Sequence, residues 1–142
     1  MILVDANVLL YAWDASSVHH SAARDWLGTV ISESRPLRLA WPVIIAFLRI
    51  STNFRIVTNP LTAQEACDII SHLLDQPSVG ILQPGPQHWE ILTRVLAQSA
   101  AQGPLIMDAH LAALAMEHGA TICTHDRDFV RFPGLRVEFP LA

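Results

Sequence analysis

Residues 105–126, LIMDAHLAALAMEHGATICTHD, decide the fold of this chain. Their apolar residues repeat at spacings of three and four, which predicts a helix that contains Asp108 and ends at Gly119. The apolar residues 120–124 that follow predict a short strand buried in a sheet, and Asp126 comes just after it. A long helix that leads into a buried strand is typical of an α/β domain.

Strands and helices alternate along the rest of the chain as well. Further strands are predicted at residues 1–4, 37–41 and 79–82. Further helices are predicted near residues 7–13, 17–30, 43–50, 62–74 and 89–96. There is no internal repeat and no low-complexity linker. The alternation therefore predicts a single domain over residues 1–142, with a three-layer α/β/α fold and a mainly parallel central sheet.

Two of the predicted strands end in an acidic residue. Asp5 follows the strand at residues 1–4, and Asp126 follows the strand at 120–124. Ligands of open parallel sheets bind beyond the carboxyl ends of the strands, so the two carboxylates face one crevice if these strands are neighbours. Asp108 can join them from the first part of its helix, where the helix dipole favours negative charge. Mg²⁺ and Mn²⁺ prefer such oxygen-only sites.

Each aspartate also has an ordinary structural explanation, because Asp is common at strand ends as a turn former or a helix cap. The joint pattern favours the metal site. Asn7 lies close to the end of the first strand and Asp128 close to the end of the second, so each adds an oxygen to the same crevice. We therefore expect a metal site built on Asp5, Asp108 and Asp126.

The charge balance argues against a protein that coats nucleic acid by bulk electrostatics. The 142 residues carry a formal net charge of -4, whereas such domains are usually strongly basic. All nine basic residues are arginine, which suits bidentate phosphate contacts but would also follow from a GC-rich genome. Arg127 is the best-placed candidate for a phosphate contact, and the other candidates are Arg49, Arg55 and Arg131. For all four, the alternative is a place on the solvated surface or a role as an internal partner for an aspartate.

Neither a signal peptide nor a membrane span is expected. The amino terminus has an acid where a signal peptide needs basic residues. The longest uncharged apolar run, residues 39–48, is well short of the ~20 residues that a spanning helix requires. We expect a soluble, cytoplasmic protein.

Three stretches of the sequence resemble a PIN domain of the VapC toxin type. They are VDANVLLYAWD at residues 4–14, PLIMDAHLAALAMEHGATICTHDRDF at 104–129 and FPGL at 132–135. The resemblance covers essentially the whole chain, and the opening and closing patterns are specific together. It implies an acidic cluster that binds Mg²⁺ or Mn²⁺ and hydrolyses RNA, in the toxin of a toxin-antitoxin pair.

By position, Asp5, Asp108 and Asp126 match the catalytic and metal-binding acids of that family. The same match implies Asp128 as an accessory metal ligand and Asn7 and Thr124 as polar neighbours of the acids. Together with Arg127, these two residues are the expected contacts to substrate. It implies in-line attack on the phosphodiester by a metal-activated water, without a covalent enzyme intermediate. It also implies a small VapB-like antitoxin that fills the acidic groove, and a homodimer.

One departure concerns the helix after the second strand, where family members commonly carry a glutamate. The stretch here is VIIAFLR, residues 43–49, with Ala46 near the place of the glutamate. Glu65 opens a different helix and is explained there by a capping box with Thr62. The number of metal ions therefore stays open. An alternative is a PIN-fold protein that binds RNA or an antitoxin with weak or no nuclease turnover.

A small-molecule phosphohydrolase is a third possibility, but the sequence has neither an aspartyl nucleophile motif nor a glycine-rich phosphate loop. His110 and His125 lie beside the acids, yet neighbours in a helix or strand often point elsewhere, so neither is included among the ligands. The tryptophans are expected in the core or at a dimer contact rather than as base-stacking platforms; they are Trp13, Trp26, Trp41 and Trp89.

Overall fold

One parallel sheet forms the central layer of the molecule. The computed structural model describes residues 1–141, and within them the strands are β1 (Ile2–Val4), β2 (Leu37–Leu39), β3 (Val79–Ile81), β4 (Thr121–Cys123) and β5 (Val137–Glu138). Their order across the sheet is β3-β2-β1-β4-β5, and every neighbouring pair is parallel. β1 is therefore the central strand, with Leu3 between Arg38 on one side and Ile122 on the other.

Helices connect the strands and cover both faces of the sheet. They are α1 (Ala6–Trp13), α2 (His20–Ser32), α3 (Trp41–Ser51), α4 (Ala63–Leu74), α5 (His88–Ser99) and α6 (Leu105–His118), and a 3₁₀ turn spans Arg127–Arg131. α1 packs on α2 and α3, α3 packs on α4, and α5 packs on α6. The chain moves outward from β1 to β3 and then returns to β4, so right-handed crossovers place α1–α4 on one face and α5–α6 on the other. The predicted three-layer fold is confirmed.

The strands and α6 supply much of the core. Every residue of β1 is at most 1% exposed. Four alanines of α6 are fully buried, so this helix lies close to both α5 and the sheet; they are Ala109, Ala112, Ala113 and Ala115. Such packing holds the first turns of α6, and with them Asp108, in a fixed place relative to the strands. Among residues 1–141, no helix is both long and apolar enough to cross a membrane.

Helix signals in the sequence set several boundaries as predicted. At the start of α4, the Thr62 hydroxyl accepts a hydrogen bond from the Glu65 N–H at 3.1 Å, and Glu65 Oε1 accepts one from the Thr62 N–H at 2.9 Å. This is the predicted capping box. Gly119 ends α6 with a φ of 66°, a left-handed conformation that glycine adopts without strain.

Three elements differ from the expectation. β2 ends at Leu39, and Trp41 begins α3 instead of ending the strand, because Pro42 fixes a helical φ in the first turn of that helix. α2 begins at His20 rather than near Ser17. β5 has no pattern of its own in the sequence, since it is two residues long and exists through its pairing with β4.

Candidate metal centre at the carboxyl edge of the sheet

The candidate site lies where β1 and β4 end side by side. The chain leaves β1 for β2 on one side and later places β4 on the other side, so the strand order reverses at this pair. Crevices that bind ligands open at such a reversal, beyond the carboxyl ends of the strands. Asp5 directly follows β1, and Asp126 lies just beyond β4. The fold therefore brings these two sequence-predicted acids to one edge of the sheet.

Both carboxylate oxygens of Asp5 accept hydrogen bonds from the protein. Asp5 is the N-cap of α1, and its Oδ1 accepts the N–H of Ala6 at 2.8 Å. Its Oδ2 accepts the Thr124 hydroxyl at 2.8 Å and, more weakly, the side-chain amide of Asn7 at 3.4 Å. Asp5 is consequently held in one orientation by groups from both strand ends.

Thr124 organises the loop after β4. Its side chain is buried, and its hydroxyl accepts the Asp126 N–H at 3.0 Å and the Asn7 amide at 3.3 Å while it donates to Asp5. Asn7 is engaged at both ends of its amide, because its Oδ1 also accepts the N–H of His125 at 3.2 Å. The buried Thr124 hydroxyl therefore holds Asp5 and Asp126 in place, and its contact with substrate stays a prediction. Asn7 is half-buried and fixes the same loop.

The environment of Asp108, including the charges of the other carboxylates, raises its pKa. Burial, followed by the charges of Asp126, Asp5 and Asp128, raises the pKa of Asp108 to about 6, with partial opposition from the Arg131 guanidinium. Burial also raises the pKa of Asp5, and the charge of Asp126 adds to this effect against the hydrogen bond from Thr124. These directions show that the four predicted acids form one electrostatic group.

The donor set suits a hard divalent cation, although the acids do not form a closed cage. In the part of the chain that the structure describes, no three carboxylate, imidazole or thiol side chains form a ready-made metal cluster. All four members of the group are nevertheless oxygen donors of like charge, and their mutual repulsion favours a cation between them. One oxygen of the Asp126 carboxylate, Oδ1, accepts a hydrogen bond from the N–H of the exposed Asp128 at 2.9 Å. The residues therefore fit an open, partly hydrated metal site.

The arginines fall into two groups. Arg127 and Arg131 lie in the 3₁₀ turn directly after Asp126, and Arg127 lies over the Phe139 ring with its guanidinium carbon 4.0 Å from the centroid. α3 starts at the carboxyl edge of the sheet and runs away from it. Arg49 lies in the last turn of α3 and Arg55 follows the end of that helix, so both lie away from this edge. Only Arg127 and Arg131 are thus placed beside the acids.

Helix α3 carries no acidic residue, and Ala46 is half-buried in it. Glu65 caps α4 through its bond to Thr62 and does not replace the missing glutamate. The departure seen in the sequence therefore persists in the structure: the carboxylates of the site come from the ends of β1 and β4 and from α6.

His110 is turned away from the acids. Its Nδ1 lies 3.0 Å from Nε2 of His88 on α5, and burial together with His88 lowers its pKa. His88 in turn lies 3.9 Å from Glu117, whose carboxylate accepts the N–H of Gly85 at 2.8 Å and that of Gln87 at 3.0 Å. This network joins the start of α5 to α6 and engages Nδ1 of His110.

Aromatic residues near the site have mixed positions. Trp13 packs edge-on against Phe47, and Trp26 is partly buried against the core, as expected. Trp41 and Trp89 are 48% and 72% exposed. His125 belongs to a cluster of rings with Tyr11 and His19 that the sequence did not indicate, because its members come from two helix ends and a distant loop.

Comparisons with known proteins show the family of the chain. Residues 2–135 match the PIN domain family. The chain is 39% identical over 142 residues to Ribonuclease VapC37 of Mycobacterium tuberculosis, which covers 100% of this chain and 99% of the relative. It is 34% identical over 141 residues to Ribonuclease VapC33 of the same organism, with 99% of both chains covered.

Solved structures share the fold at low sequence identity. VapBC2 from Rickettsia felis, bound to a DNA fragment from its promoter, matches with a TM-score of 0.71 at 16% identity and covers 97% of this chain and 98% of that one. Mycobacterium tuberculosis VapC20, described as a sarcin-ricin loop cleaving toxin, matches with a TM-score of 0.64 at 16% identity, covering 96% and 99%. The chain therefore belongs to the PIN domain family, among its VapC-type ribonucleases.

Proposed function

We propose that this protein is a divalent-metal-dependent endoribonuclease that acts as the toxin of a toxin-antitoxin pair. The observation that carries the proposal is the crowding of four carboxylates at the ends of β1 and β4 and on α6, where burial and then the charges of the neighbouring acids raise the pKa of Asp108 to about 6. Arg131 compensates this crowding only in part, and a divalent cation would relieve the rest. Ribonuclease relatives at 34% and 39% identity support RNA as the substrate.

The proposed cation is Mg²⁺ or Mn²⁺, because every donor is an oxygen. Mg²⁺ keeps several of its waters and is often held by one or two carboxylates, so the site needs no cage of three side chains. Asp5, Asp108 and Asp126 are the proposed ligands, with Asp128 as an accessory. When bound, the cation would lower the pKa of a water molecule and neutralise charge that develops on the scissile phosphate.

The residues of the chain have separate tasks in this proposal. The Thr124 hydroxyl and the Ala6 N–H orient the two oxygens of Asp5. One of the three carboxylate ligands can also orient the attacking water or accept a proton from it. Arg127 is exposed and lies over Phe139, so it can present its guanidinium to a backbone phosphate of the RNA.

A cleavage assay tests the proposal. The purified protein is incubated with total RNA in Mg²⁺, in Mn²⁺ or in EDTA, and the fragments are mapped by primer extension. We expect discrete cuts with either metal and none in EDTA, and a loss of at least roughly 100-fold in rate for Asp108→Asn. Asp75→Asn, an exposed aspartate at the end of α4, is the matched control and should cleave like the unchanged protein. Equal cleavage by Asp108→Asn would contradict the proposal.

The absence of an acid on α3 favours one other function, a protein that binds RNA or an antitoxin with little or no turnover. A gel-shift experiment over a series of Mg²⁺ and Mn²⁺ concentrations separates the two functions from each other. RNA that is bound but stays intact at every metal concentration would support the binding protein and remove the nuclease.

We propose a VapB-like antitoxin as the protein partner, as in the solved VapBC complexes with the same fold. An apolar groove of about 580 Å³ opens between α1, α2, α3 and α4, with walls that include Trp13, Leu27, Phe47 and Ile69. The apolar face of an amphipathic helix suits a groove of this kind. The partner would bind there and extend toward the acids.

We also propose that the protein forms a homodimer in the cytoplasm, where its RNA substrate lies. Trp41 and Ile45 are one turn apart on α3 and are 48% and 54% exposed. An exposed apolar pair beside the catalytic edge is a surface that a second copy can cover. Analytical ultracentrifugation at micromolar concentration tests this assembly, and a monomer would remove it.

A further inference from the structure

Three side-chain rings meet beside the acidic site. Tyr11 and His19 have ring centroids 4.8 Å apart, His19 and His125 are 4.4 Å apart, and Tyr11 and His125 are 5.7 Å apart. The residues come from the end of α1, the residue before α2 and the loop after β4. The fold therefore assembles one aromatic cluster from three distant parts of the sequence, which we call the ring cluster.

The ring cluster is linked directly to the candidate metal centre. His125 lies between Thr124 and Asp126, and its backbone N–H donates to Oδ1 of Asn7. Tyr11 follows Asn7 by four residues on α1, so both lie on the same face of the helix, about 6 Å apart along its axis. Tyr11 thus lies about one helical turn from Asn7, whose side-chain amide donates to Asp5, and His125 directly precedes Asp126 in the chain.

The rings have free polar edges. All three side chains are half-buried, so part of each ring contacts solvent. In residues 1–141, the Tyr11 hydroxyl and the ring nitrogens of His19 and His125 have no hydrogen-bond partner within the protein, whereas His20 Nδ1 lies 3.0 Å from the Tyr11 carbonyl oxygen. Half-exposed faces combined with unpaired donors and acceptors match the chemistry of a nucleobase, which stacks through its face and forms hydrogen bonds through its edge.

We propose that Tyr11, His19 and His125 bind an unpaired nucleobase next to the scissile phosphate, an inference that rests on the proposed ribonuclease function. The subsite accounts for why these rings lie at the catalytic edge rather than in the core. It also gives the enzyme a means to require a flexible, single-stranded base, since a base in a duplex cannot enter it without unstacking.

His19 is the residue that separates this role from a merely structural one. It precedes α2 without a side-chain cap hydrogen bond, so His19→Ala removes a ring and no helix cap. His19→Phe keeps the ring and restores stacking. His72→Ala is the matched control, because His72 is an exposed histidine on α4 that does not belong to the ring cluster.

The experiment measures binding first and cleavage second. Fluorescence anisotropy in EDTA gives the Kd of each variant for a short single-stranded RNA and for a series in which one base at a time is removed. For the unchanged protein and His72→Ala, we expect one abasic position to weaken binding about tenfold. For His19→Ala, the intact RNA should bind about tenfold more weakly, and removal of the base at that position should weaken binding no further. We call the loss of affinity on removal of a base the abasic penalty. His19→Phe should restore most of the affinity.

The cleavage series in Mg²⁺ then shows whether the bound base is the one beside the cut, with KM raised in His19→Ala and kcat changed little. An abasic penalty that is the same in His19→Ala and in the unchanged protein would overturn the subsite, as would an equal loss of affinity for intact and abasic RNA. A protein that binds RNA with the expected pattern but cleaves none would overturn the ribonuclease proposal and leave the base subsite standing.

Discussion

The hydroxyl of Thr124 donates a hydrogen bond to Oδ2 of Asp5 at 2.8 Å and joins residues 119 positions apart in the chain. This contact exists because β1 and β4 are paired in register, with Val4 beside Cys123. The orientation of Asp5 is therefore a consequence of the sheet, and any change that loosens this strand pair also loosens the acid.

Thr124→Val should reduce both stability and cleavage. The change keeps the shape of a buried side chain but leaves the Asp126 N–H without its acceptor and Asp5 Oδ2 without its main donor. The free energy of unfolding should fall by about 1–3 kcal/mol, measured by urea denaturation, and kcat should fall about tenfold or more because Asp5 loses its orientation. Thr124→Ser keeps the hydroxyl and should retain most of both. If Val and Ser behaved alike, the hydroxyl would have no positioning role.

The pKa of Asp108 makes the stability of the metal-free protein depend on pH. In the folded chain this pKa is about 6, against an ordinary value of 3.8, so the folded state binds more protons between these values. The stability contributed by this group is therefore present below about pH 4 and is lost as the pH rises through 6. Asp108→Asn removes this loss, so in EDTA the variant should gain stability relative to the unchanged protein as the pH rises from about 4 to 7.

Urea denaturation at both pH values measures this difference, and addition of Mg²⁺ at neutral pH should shrink or reverse it, because the cation stabilises only the unchanged site. A stability difference that stays constant across the pH range would show that Asp108 has an ordinary pKa.

The fold and the acids were predictable for different reasons. Buried strands such as β1 and the capped helix α4 carry strong local patterns, and the rule for parallel sheets placed Asp5 and Asp126 at one edge before the strand order was known. The burial of Thr124 was not predictable, because a threonine after a strand has the same sequence signature whether it faces solvent or another strand end. The same limit applies to β5 and to the ring cluster, which depend on tertiary contacts alone.

Arg127 and Phe139 should act together in RNA binding. The guanidinium lies 4.0 Å from the ring centroid, and such a contact limits its motion. Arg127→Ala should weaken RNA binding and reduce the slope of log Kd against log salt concentration by about one, if Arg127 contacts one phosphate. Phe139→Leu should weaken binding less and leave the slope unchanged, since the charge remains. A full set of Kd values in EDTA at several salt concentrations tests both, and an unchanged slope in Arg127→Ala would remove its phosphate contact.

Gly85 is tied to Glu117 by both a hydrogen bond and a close approach. A Cβ at Gly85 would lie 2.5 Å from Glu117 Oε2, so alanine there must displace the carboxylate that accepts the N–H groups of Gly85 and Gln87. Gly85→Ala should therefore lower Tm by roughly 3–10 °C. In a Glu117→Ala background the same change should cost much less, because the obstructing carboxylate is gone. Equal shifts in both backgrounds, measured by thermal denaturation, would show that the two positions are independent.

Gly28 presents a conflict between helix stability and the apolar groove. Glycine in the interior of α2 costs about 0.5–1 kcal/mol relative to a good helix former, yet Gly28 lines the groove, and a Cβ there would meet no atom within 4 Å. The open space in front of it is where we propose that the antitoxin binds. Gly28→Leu should raise the free energy of unfolding while it fills the groove and weakens partner binding at least tenfold.

Thr29→Leu, at the next position of α2 but outside the groove lining, is the control for this last change and should leave partner binding intact. Co-purification and titration with the proposed VapB-like antitoxin measure the affinity, and urea denaturation measures the stability. A stabilised Gly28→Leu variant that binds the partner normally would place the antitoxin elsewhere. Loss of both stability and binding would instead mean that the leucine disturbs the packing of α2 on α1. Only a gain in stability combined with a loss of binding supports a groove that is kept open for a ligand at the expense of helix stability.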